Sequence, residues 1–486
     1  MRTLVKSPVR NRPRVILLVI LAAALAFRLV FVVWAVGLAS PLKGDEADYQ
    51  FHAANLAAGR GFVDNQGLPA ASRPPLLPLA LAGLYKVFGT HVELGRLLQV
   101  LLGTAVVGLT YLVAARLCSR RIALMAALLT AVNPYLIFMA SYVLSENLYT
   151  VLLLVFLMGL ADLAAPARGE GGRREGYAGC AGDSGHAGRA GWPRLAMLGA
   201  LLGLATLARP TAAGLAALAA AALLVPGTGL GSEPARGRGV TPGSGSLARR
   251  AGAAAVLLAG LAIVLAPWAI RNHERMGRWI VLTTHGGITF YQSNNPLVCT
   301  EPALRGGVAP REALPGWERI SDAASLASDR EAWRLGRAFL RENPGMIPGL
   351  LAGKFERFWR LRSHVPLSGV KSGWWWNKGS ALGKLASDVD VGLVYAAVVM
   401  PAFLIGLVVT ARDWRRMLGL YAMIAVHLAA ALVFYGSLRA RSPIEPVMAI
   451  FAACGLAWLG ARLSAARQRA GRARDRTSAA EANPRA

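Results

Sequence analysis

Long apolar stretches, separated by short polar or basic segments, dominate the sequence. A stretch of ~18 or more apolar residues is long enough to cross a bilayer as a helix. The first stretch is too long, and too regularly followed by others, to be a cleaved signal peptide. We predict about ten transmembrane spans, at residues 15–38, 93–115, 122–139, 142–163, 195–208, 211–225, 251–270, 389–410, 417–435 and 443–463.

Two apolar regions need separate treatment. The segment 76–88 is short and follows the proline-rich residues 72–78, so we do not count it as a span. The region 195–225 is divided at Arg209 and Pro210 into two short spans. This division places the linkers 166–194 and 226–250 on the same, cytoplasmic side. Both linkers are rich in glycine, which favours disorder.

A polar stretch directly after the first span has a helical pattern of its own. Asp45, Tyr49, His52 and Leu56 follow a 4-3-4 spacing, so a helix beginning here would present them on one face. Gly59 is a plausible end for this helix. We expect a helix along the membrane surface, with its acidic residues near the lipid headgroups. The alternative is a solvated acidic loop.

The composition supports a polytopic membrane protein. The chain is 55% hydrophobic and 16% charged, with a mean hydropathy of +0.44. Its net charge of +27 comes from basic residues clustered between the spans. The positive-inside rule explains that charge without nucleic acid, and it places both chain ends in the cytoplasm. None of the four cysteines has an evident disulfide partner, and no C-x-x-C metal spacing occurs.

The predicted spans divide the chain into five parts. These are a basic cytoplasmic N-terminus (1–14), a transmembrane module (15–270) with its first external loop at 39–92, an external segment (271–388), C-terminal transmembrane helices (389–463) and a disordered basic cytoplasmic tail (464–486). The external segment contains two helical patterns, at 328–341 and 346–360. We expect its Trp374-Trp375-Trp376 run to anchor at the membrane interface.

Charged residues collect at the predicted external ends of the spans. Arginines can hold a phosphate through paired hydrogen bonds, and a carboxylate can accept a proton from an incoming hydroxyl. A transporter would be expected to place such groups near the membrane midplane. The pattern therefore favours a reaction on a lipid-borne phosphate. The residues concerned are Asp45, Glu46, Asp48, Arg73, Glu146, Arg209, Arg271, Arg439 and Arg441.

Several short motifs resemble those of the GT-C membrane glycosyltransferases of the protein O-mannosyltransferase and aminoarabinose transferase type, over nearly the whole chain. The strongest are Asp45-Glu46-x-x-Tyr49 with Gly59-Arg60-Gly61-Phe62, and Arg73-Pro74-Pro75-Leu76-Leu77-Pro78. Weaker matches are Ser145-Glu146-Asn147-Leu148, Ala208-Arg209-Pro210-Thr211, Pro267-Trp268-x-x-Arg271-Asn272 and Arg439-x-Arg441-x-Pro443-x-x-Pro446.

The resemblance implies an all-α GT-C bundle with juxtamembrane helices in the first external loop. It implies an inverting enzyme that takes a sugar from a polyprenyl-phosphate donor outside the cytoplasmic membrane. Asp45 would be the general base, Glu46 a further catalytic candidate and Glu146 the second acidic residue. Arg73 would contact the donor phosphate, for which Arg439 and Arg441 are further candidates. Tyr49, Arg209 and Arg271 are candidates for substrate binding.

Two departures from the aminoarabinose branch concern its substrate and its metal site. Asp48 stands where that branch has a basic residue, and Ser72 where it has an acidic metal ligand. A divalent metal is therefore a candidate without an assigned ligand set, and no other cofactor is expected. The expected partners are membrane lipids, the lipid-linked donor and an acceptor glycan, lipid or protein.

Other readings stay open at this level. A flippase or exporter would bind the same lipid-linked sugar without forming a bond, and a scaffold would tolerate loss of Asp45. Arg28 interrupts the first span, where its side chain either reaches the outer surface or contacts an anion. His52 and His427 are expected to be structural, because the first lies ~10 Å along a helix from Asp45 and the second lies within a span.

Overall fold

The computed structural model describes residues 12–164, 191–226, 247–321, 325–361 and 391–482. Most of the residues in these ranges are helical, and they contain a single isolated β-bridge, between Val63 and Pro69. The predicted all-α fold is therefore confirmed. The predicted disordered linkers and the Trp374–Trp376 anchor fall largely or wholly outside the described residues.

The helices follow one another in the order expected for a bundle. The first ten are α1 (Arg12–Val30, continued by a π-helical turn at Phe31–Val36), α2 (Asp45–Ala57), α3 (Leu76–Phe88), α4 (Val92–Leu117), α5 (Arg120–Ala131), α6 (Pro134–Met139), α7 (Ser145–Ala164), α8 (Trp192–Ala208), α9 (Ala212–Leu224) and α10 (Leu247–Met276). The others are α11 (Gly286–Gln292), α12 (Leu297–Thr300), α13 (Leu326–Glu342), α14 (Ile347–Trp359), α15 (Val391–Thr410), α16 (Trp414–Val433), α17 (Leu438–Arg441) and α18 (Glu445–Ala482).

Within the described residues, six helical stretches are long and apolar enough to cross a membrane. They are Pro13–Val36, Val92–Leu117, Ser145–Leu163, Leu247–Met276, Gly392–Val433 and Leu438–Arg472. One of them, Gly392–Val433, contains two helices of 20 residues each, α15 and α16. Three shorter apolar helices are α3, α8 and α9. The chain is thus a multi-pass membrane protein, and the count of ten spans stays a prediction.

Contacts at helix ends show that the bundle has two distinct ends. The C-termini of α4 and α7 meet where Arg116 Nε donates to Asp162 Oδ1 (2.9 Å), and Arg416 near the start of α16 donates to the Arg116 carbonyl (3.0 Å). The start of α2, the start of α7, the α8–α9 junction and α17 meet through ion pairs elsewhere. Helices α4 and α7 therefore run in the same direction, and α16 runs in the opposite direction.

Small residues allow the closest helix contacts in the apolar interior. A side chain at Gly199 of α8 would lie 1.9 Å from the Leu257 carbonyl of α10, and one at Gly260 would lie 2.1 Å from the Ala196 carbonyl. Both distances are too short for any Cβ atom. Such close backbone approach is the usual basis of helix association in membranes, where dispersion contacts replace a hydrophobic driving force.

The first loop forms two helices, α2 and α3, as predicted. Tyr49 and His52 share the buried face of α2, and α2 packs closely on α3. The His52 ring stacks on Phe62, with centroids 4.1 Å apart. Burial lowers the pKa of His52 to about 4, so the ring is neutral at physiological pH. His52 is therefore a packing residue, as the sequence predicted.

The segment between α10 and α15 follows its predicted helical patterns closely. The patterns at 328–341 and 346–360 correspond to α13 and α14. These helices and α11 surround a small apolar core of their own, which includes Ile288, Ile320 and Leu350. We refer to residues 277–361 as the connecting segment. Because α14 also contacts α16 and α17, the segment packs onto the transmembrane helices.

The structure differs from the prediction in one span and in the C-terminal tail. The third predicted span, 122–139, breaks between α5 and α6, because the Asn133 side chain accepts hydrogen bonds from Tyr135 and Leu136 and Pro134 begins the new helix. The tail predicted to be disordered is helical as far as Ala482. Its alanine and arginine content gives it high intrinsic helix propensity.

One contact was not predicted, and one further expectation needs correction. Cys118 and Cys454 are free thiols whose sulfur atoms lie 3.6 Å apart, although they are far apart in sequence. Arg28 does not reach the surface, since it is fully buried and its Nη1 donates to the Ala24 and Ala131 carbonyls (3.1 and 3.4 Å). Ala131 is the last residue of α5, so the guanidinium lies at the negative end of a helix dipole.

Candidate active site

Asp45 lies between two arginines. Arg73 Nη2 donates to Asp45 Oδ1 (2.6 Å), and Arg439 Nη1 donates to Asp45 Oδ2 (2.5 Å). Arg73 also donates to Asp48 Oδ2, from Nη2 at 2.6 Å and from Nε at 3.2 Å. The three elements that supply these groups, α2, the turn before α3 and α17, are distant in sequence, so the site depends on the complete fold.

Glu146 extends the same network towards the bundle interior. Arg439 Nε donates to Glu146 Oε1, and Arg209 Nη1 lies 2.5 Å from the same oxygen. The Glu146 side chain is 2% exposed, against 30% for Asp45. Arg439 thus links an accessible carboxylate to a buried one. We refer to Asp45, Asp48, Arg73, Glu146, Arg209 and Arg439 as the arginine–carboxylate cluster.

Local structure explains how the cluster is held in place. Asp45 is the first residue of α2 and Glu146 lies in the first turn of α7, where helix N-termini favour negative charge. Arg73 lies over the buried Tyr49 ring, 5.9 Å from its centroid, and Tyr49 donates to Ser145 Oγ (3.3 Å). Tyr49 therefore supports the cluster through its contact with Arg73 and its hydrogen bond to Ser145.

The electrostatics keep Asp45 ionised. Burial alone would raise the pKa of Asp45, but the charges and hydrogen bonds of Arg73 and Arg439 outweigh it, and the pKa falls well below the ordinary carboxyl value. An ionised carboxylate can accept a proton, but its two arginines weaken it as a base. Anything that draws those arginines away would make Asp45 more basic.

Besides Tyr49, three predicted site residues lie outside the cluster. Glu46, although adjacent to Asp45, points the other way and its Oε1 accepts from Val143 N (2.8 Å); burial raises the pKa of Glu46. Arg271 donates to the Ala70 and Phe62 carbonyls, so it holds the first loop. Arg441 is committed to Glu445 Oε1 (2.7 Å) and to two carbonyls at the end of α14.

Two residues of the connecting segment face the cluster, and the sequence did not indicate them. Arg311 Nη2 lies 2.9 Å from His285 Nε2, and both side chains interact electrostatically with Arg73 and Asp45. Burial first, and then the charges of Arg73 and Arg311, lower the pKa of His285 to about 3. His285 is therefore neutral. It precedes the Gly286-Gly287 pair in an irregular stretch without periodicity, which is why pattern analysis missed it.

The residues of the cluster do not fit a divalent cation. Among the described residues, no group of three or more histidine, cysteine, aspartate or glutamate side chains is arranged to hold a metal ion. Both carboxylate oxygens of Asp45 and one of Glu146 already contact guanidinium groups. Divalent cations prefer several unpaired oxygen ligands, and these paired carboxylates do not supply them.

Comparison with known proteins gives both a family match and a fold match. Residues 72–168, which include Arg73 and Glu146, match the model of the dolichyl-phosphate-mannose-protein mannosyltransferase family. The apo structure of the Archaeoglobus fulgidus oligosaccharyltransferase aligns with 94% of this chain at 12% identity and a TM-score of 0.53. The chain has the GT-C fold.

Two further solved structures are also similar to this chain. The same oligosaccharyltransferase tethered to an acceptor peptide aligns with 94% of this chain at 12% identity and a TM-score of 0.50. The Cupriavidus metallidurans ArnT bound to undecaprenyl phosphate aligns with 90% of this chain and 76% of its own, at 16% identity and a TM-score of 0.38.

The resemblance to GT-C glycosyltransferases noted in the sequence is thus confirmed at the level of fold and supported by the family match. The chain covers 52% and 51% of the two oligosaccharyltransferase structures, or about half of that protein's length. Comparison with curated proteins finds no significant match.

Proposed function

We propose that this protein is an inverting glycosyltransferase that moves a sugar from a polyprenyl-phosphate donor to an acceptor hydroxyl. The observation that carries the proposal is the placement of Asp45 between Arg73 and Arg439, with Glu146 behind them. Guanidinium groups bind phosphate oxygens in the same paired geometry in which they bind carboxylates. The cluster therefore combines a phosphate site with a potential base.

The donor phosphate would change the partners of the two arginines. In the structure, Arg73 and Arg439 have Asp45 as a shared partner. A bound phosphate competes for the same donors, while Asp48 and Glu146 keep each arginine oriented. Asp45 then loses much of its positive surroundings, and its pKa rises towards the ordinary carboxyl value. Donor binding would in this way activate the base.

The transfer step requires two bond changes. The acceptor oxygen attacks the anomeric carbon and its proton passes to Asp45, while the bond from that carbon to the phosphate oxygen breaks. The polyprenyl phosphate leaves as an anion, stabilised by Arg73 and Arg439. Attack from the face opposite the phosphate inverts the anomeric configuration.

The comparisons support the class of donor, and the charge pattern of the sequence supports the location. The matched family takes its name from a dolichyl-phosphate-linked sugar and a protein acceptor, and its match includes Arg73 and Glu146. The basic linkers between spans favour a cytoplasmic position for the opposite end of the bundle. We therefore place the reaction at the outer face of the cytoplasmic membrane.

The direct test uses purified protein, a panel of polyprenyl-phosphate sugars and envelope extracts as acceptors. The proposal expects acceptor-dependent release of polyprenyl phosphate together with a glycosylated product. A flippase would instead move the labelled lipid across proteoliposomes and leave the sugar–phosphate bond intact. That result would contradict the proposal.

A further inference from the structure

Lys354 is a buried cation outside the arginine–carboxylate cluster. It lies in α14 and is 1% exposed. Its Nζ donates to Asn294 Oδ1 (2.8 Å) and to the carbonyls of Leu432 (3.0 Å) and Val433 (3.1 Å). All three acceptors are uncharged. Burying an ammonium group is costly. A buried lysine with uncharged acceptors is therefore expected to have a structural or functional role.

The three acceptors identify the elements that Lys354 joins. Leu432 and Val433 are the last two residues of α16, whose final carbonyls lack partners within the helix. A cation at this position also complements the negative end of the helix dipole. Asn294 strengthens the joint, since its Nδ2 donates to the Val433 carbonyl as well (3.1 Å). Lys354 therefore fastens the connecting segment to the end of α16.

The chain between this joint and the cluster is short and tightly enclosed. Val433 ends α16, and Arg439 follows in α17 only six residues later. Gly436 lies between these two residues, and a Cβ atom at this position would lie 1.9 Å from the carbonyl oxygen of Lys354. Gly436 N donates to the Gly306 carbonyl (3.1 Å). The turn that precedes α17 is thus held between two parts of the connecting segment, α14 and the loop at Gly306.

We propose that Lys354 is a positioning residue for Arg439. By fixing the end of α16 and the Gly436 turn, it sets α17 so that one guanidinium reaches Asp45 and Glu146 together. The inference deepens the proposed function and rests on it. It assigns a role in the site to the connecting segment beyond the electrostatic interactions of His285 and Arg311 with the cluster.

A double-mutant cycle tests this coupling. We expect Lys354→Met to lower kcat/KM by roughly ten- to a hundredfold, the effect of a shift of ~1 Å in a reacting geometry. In an Arg439→Gln background the same change should cost less than about threefold, since residues that act through one group are not additive. Equal losses in both backgrounds, or no loss in either, would overturn the proposal.

Arg357→Met is the matched control. Arg357 lies on the same helix and also donates to backbone carbonyls, but those of Ala303 and Arg305, within the connecting segment. We expect its kcat/KM to stay within about twofold of the wild type, since its two acceptors lie in the connecting segment and not at the end of α16. A loss as large as that of Lys354→Met would assign the effect to the whole segment and overturn the specific role of Lys354.

A second variant covers the case in which Lys354→Met does not fold. Gly436→Ala keeps the lysine but forces the turn away from the Lys354 carbonyl, and it should show the same dependence on Arg439. Binding of a short-chain polyprenyl phosphate is measured in parallel. Wild-type protein that neither binds this lipid nor transfers sugar would refute the proposed function. An active wild type with additive losses would refute only the positioning role.

Discussion

Arg439→Gln is the most informative single change, because Arg439 alone contacts both Asp45 and Glu146 in the described structure. The substitution removes two charge-assisted hydrogen bonds and leaves Arg209 as the cation beside the buried Glu146. Breaking a buried ion pair usually costs ~3–5 kcal/mol. Since one partner remains, we expect a loss of unfolding free energy near the lower limit, about 3 kcal/mol.

The same change should weaken catalysis through the donor phosphate. Loss of one charged hydrogen-bond partner costs ~1.5–3 kcal/mol, or roughly ten- to a hundredfold in kcat/KM. Arg439→Lys should restore little, because the three donors of an ammonium group share one nitrogen, whereas the planar guanidinium reaches the two carboxylates from Nε and Nη1. The assay is sugar transfer at varied donor concentration, with thermal unfolding of each purified variant measured alongside.

Arg441→Gln is the control for this prediction. Arg441 lies two residues further along the chain and is more deeply buried, with 7% of its side chain exposed against 31% for Arg439, but its partners are Glu445 and the end of α14. We expect lower thermal stability with kcat/KM within about threefold of the wild type, as for groups that are not coupled to the site. A larger catalytic loss in Arg441→Gln than in Arg439→Gln would refute the assignment of the two arginines.

Three further predictions follow from the same geometry. Arg73→Ala should raise the donor KM roughly ten- to a hundredfold, and an unchanged donor dependence would remove Arg73 from the phosphate site. Arginine pairing lowers the pKa of Asp45, so its contribution to stability is present above the unfolded pKa of ~3.9 and is lost only as pH falls through the lower folded value. The acid limb of the pH profile of kcat/KM, which reports the free enzyme, should therefore lie below pH ~4. The acid limb of the kcat profile should lie at higher pH, because the bound donor draws the arginines away from Asp45. Acid limbs at the same pH would contradict this change of arginine partners. A reporter fused after Gly61 should be external and one fused after Arg174 cytoplasmic, and two reporters on one side would refute the topology.

The convergence of the polar residues was predictable because it follows from topology. Once the spans alternate, Asp45, Arg73, Glu146, Arg209 and Arg439 must lie at the same end of the bundle. The bounds of α2, α13 and α14 were likewise readable from helical periodicity. The helix bounds depend only on residue spacing within a few turns.

The division of roles between neighbouring residues was not predictable. Asp45 and Glu46 are adjacent, yet one enters the cluster and the other binds Val143 N. Arg439 and Arg441 differ only in direction around α17, and Glu445 lies one turn beyond Arg441 to pair with it. Such outcomes depend on which surface of a short helix faces the bundle, and a local pattern does not encode that.

Long-range contacts were also inaccessible from sequence. Cys118 and Cys454 meet because α4 and α18 pack together, and His285 reaches the cluster through an irregular stretch. Lys354 resembles any lysine of an amphipathic helix until its three acceptors are known. In each case the partner lies in another element, so no local spacing could have revealed it.

Asp45→Asn, with transfer and lipid binding measured on the same purified sample, tests the central claim most directly. The amide keeps the size of the side chain but cannot act as a carboxylate base, and such losses cost ~10²- to 10⁴-fold in rate. Asp48 and Glu146 still orient Arg73 and Arg439, now free of Asp45, so we predict lipid-phosphate binding at least as tight as in the wild type. Asp48→Asn, which shares Arg73 but not Arg439, should stay within about tenfold of the wild-type rate, as for loss of one exposed charged partner. Near-normal transfer by Asp45→Asn would contradict the account.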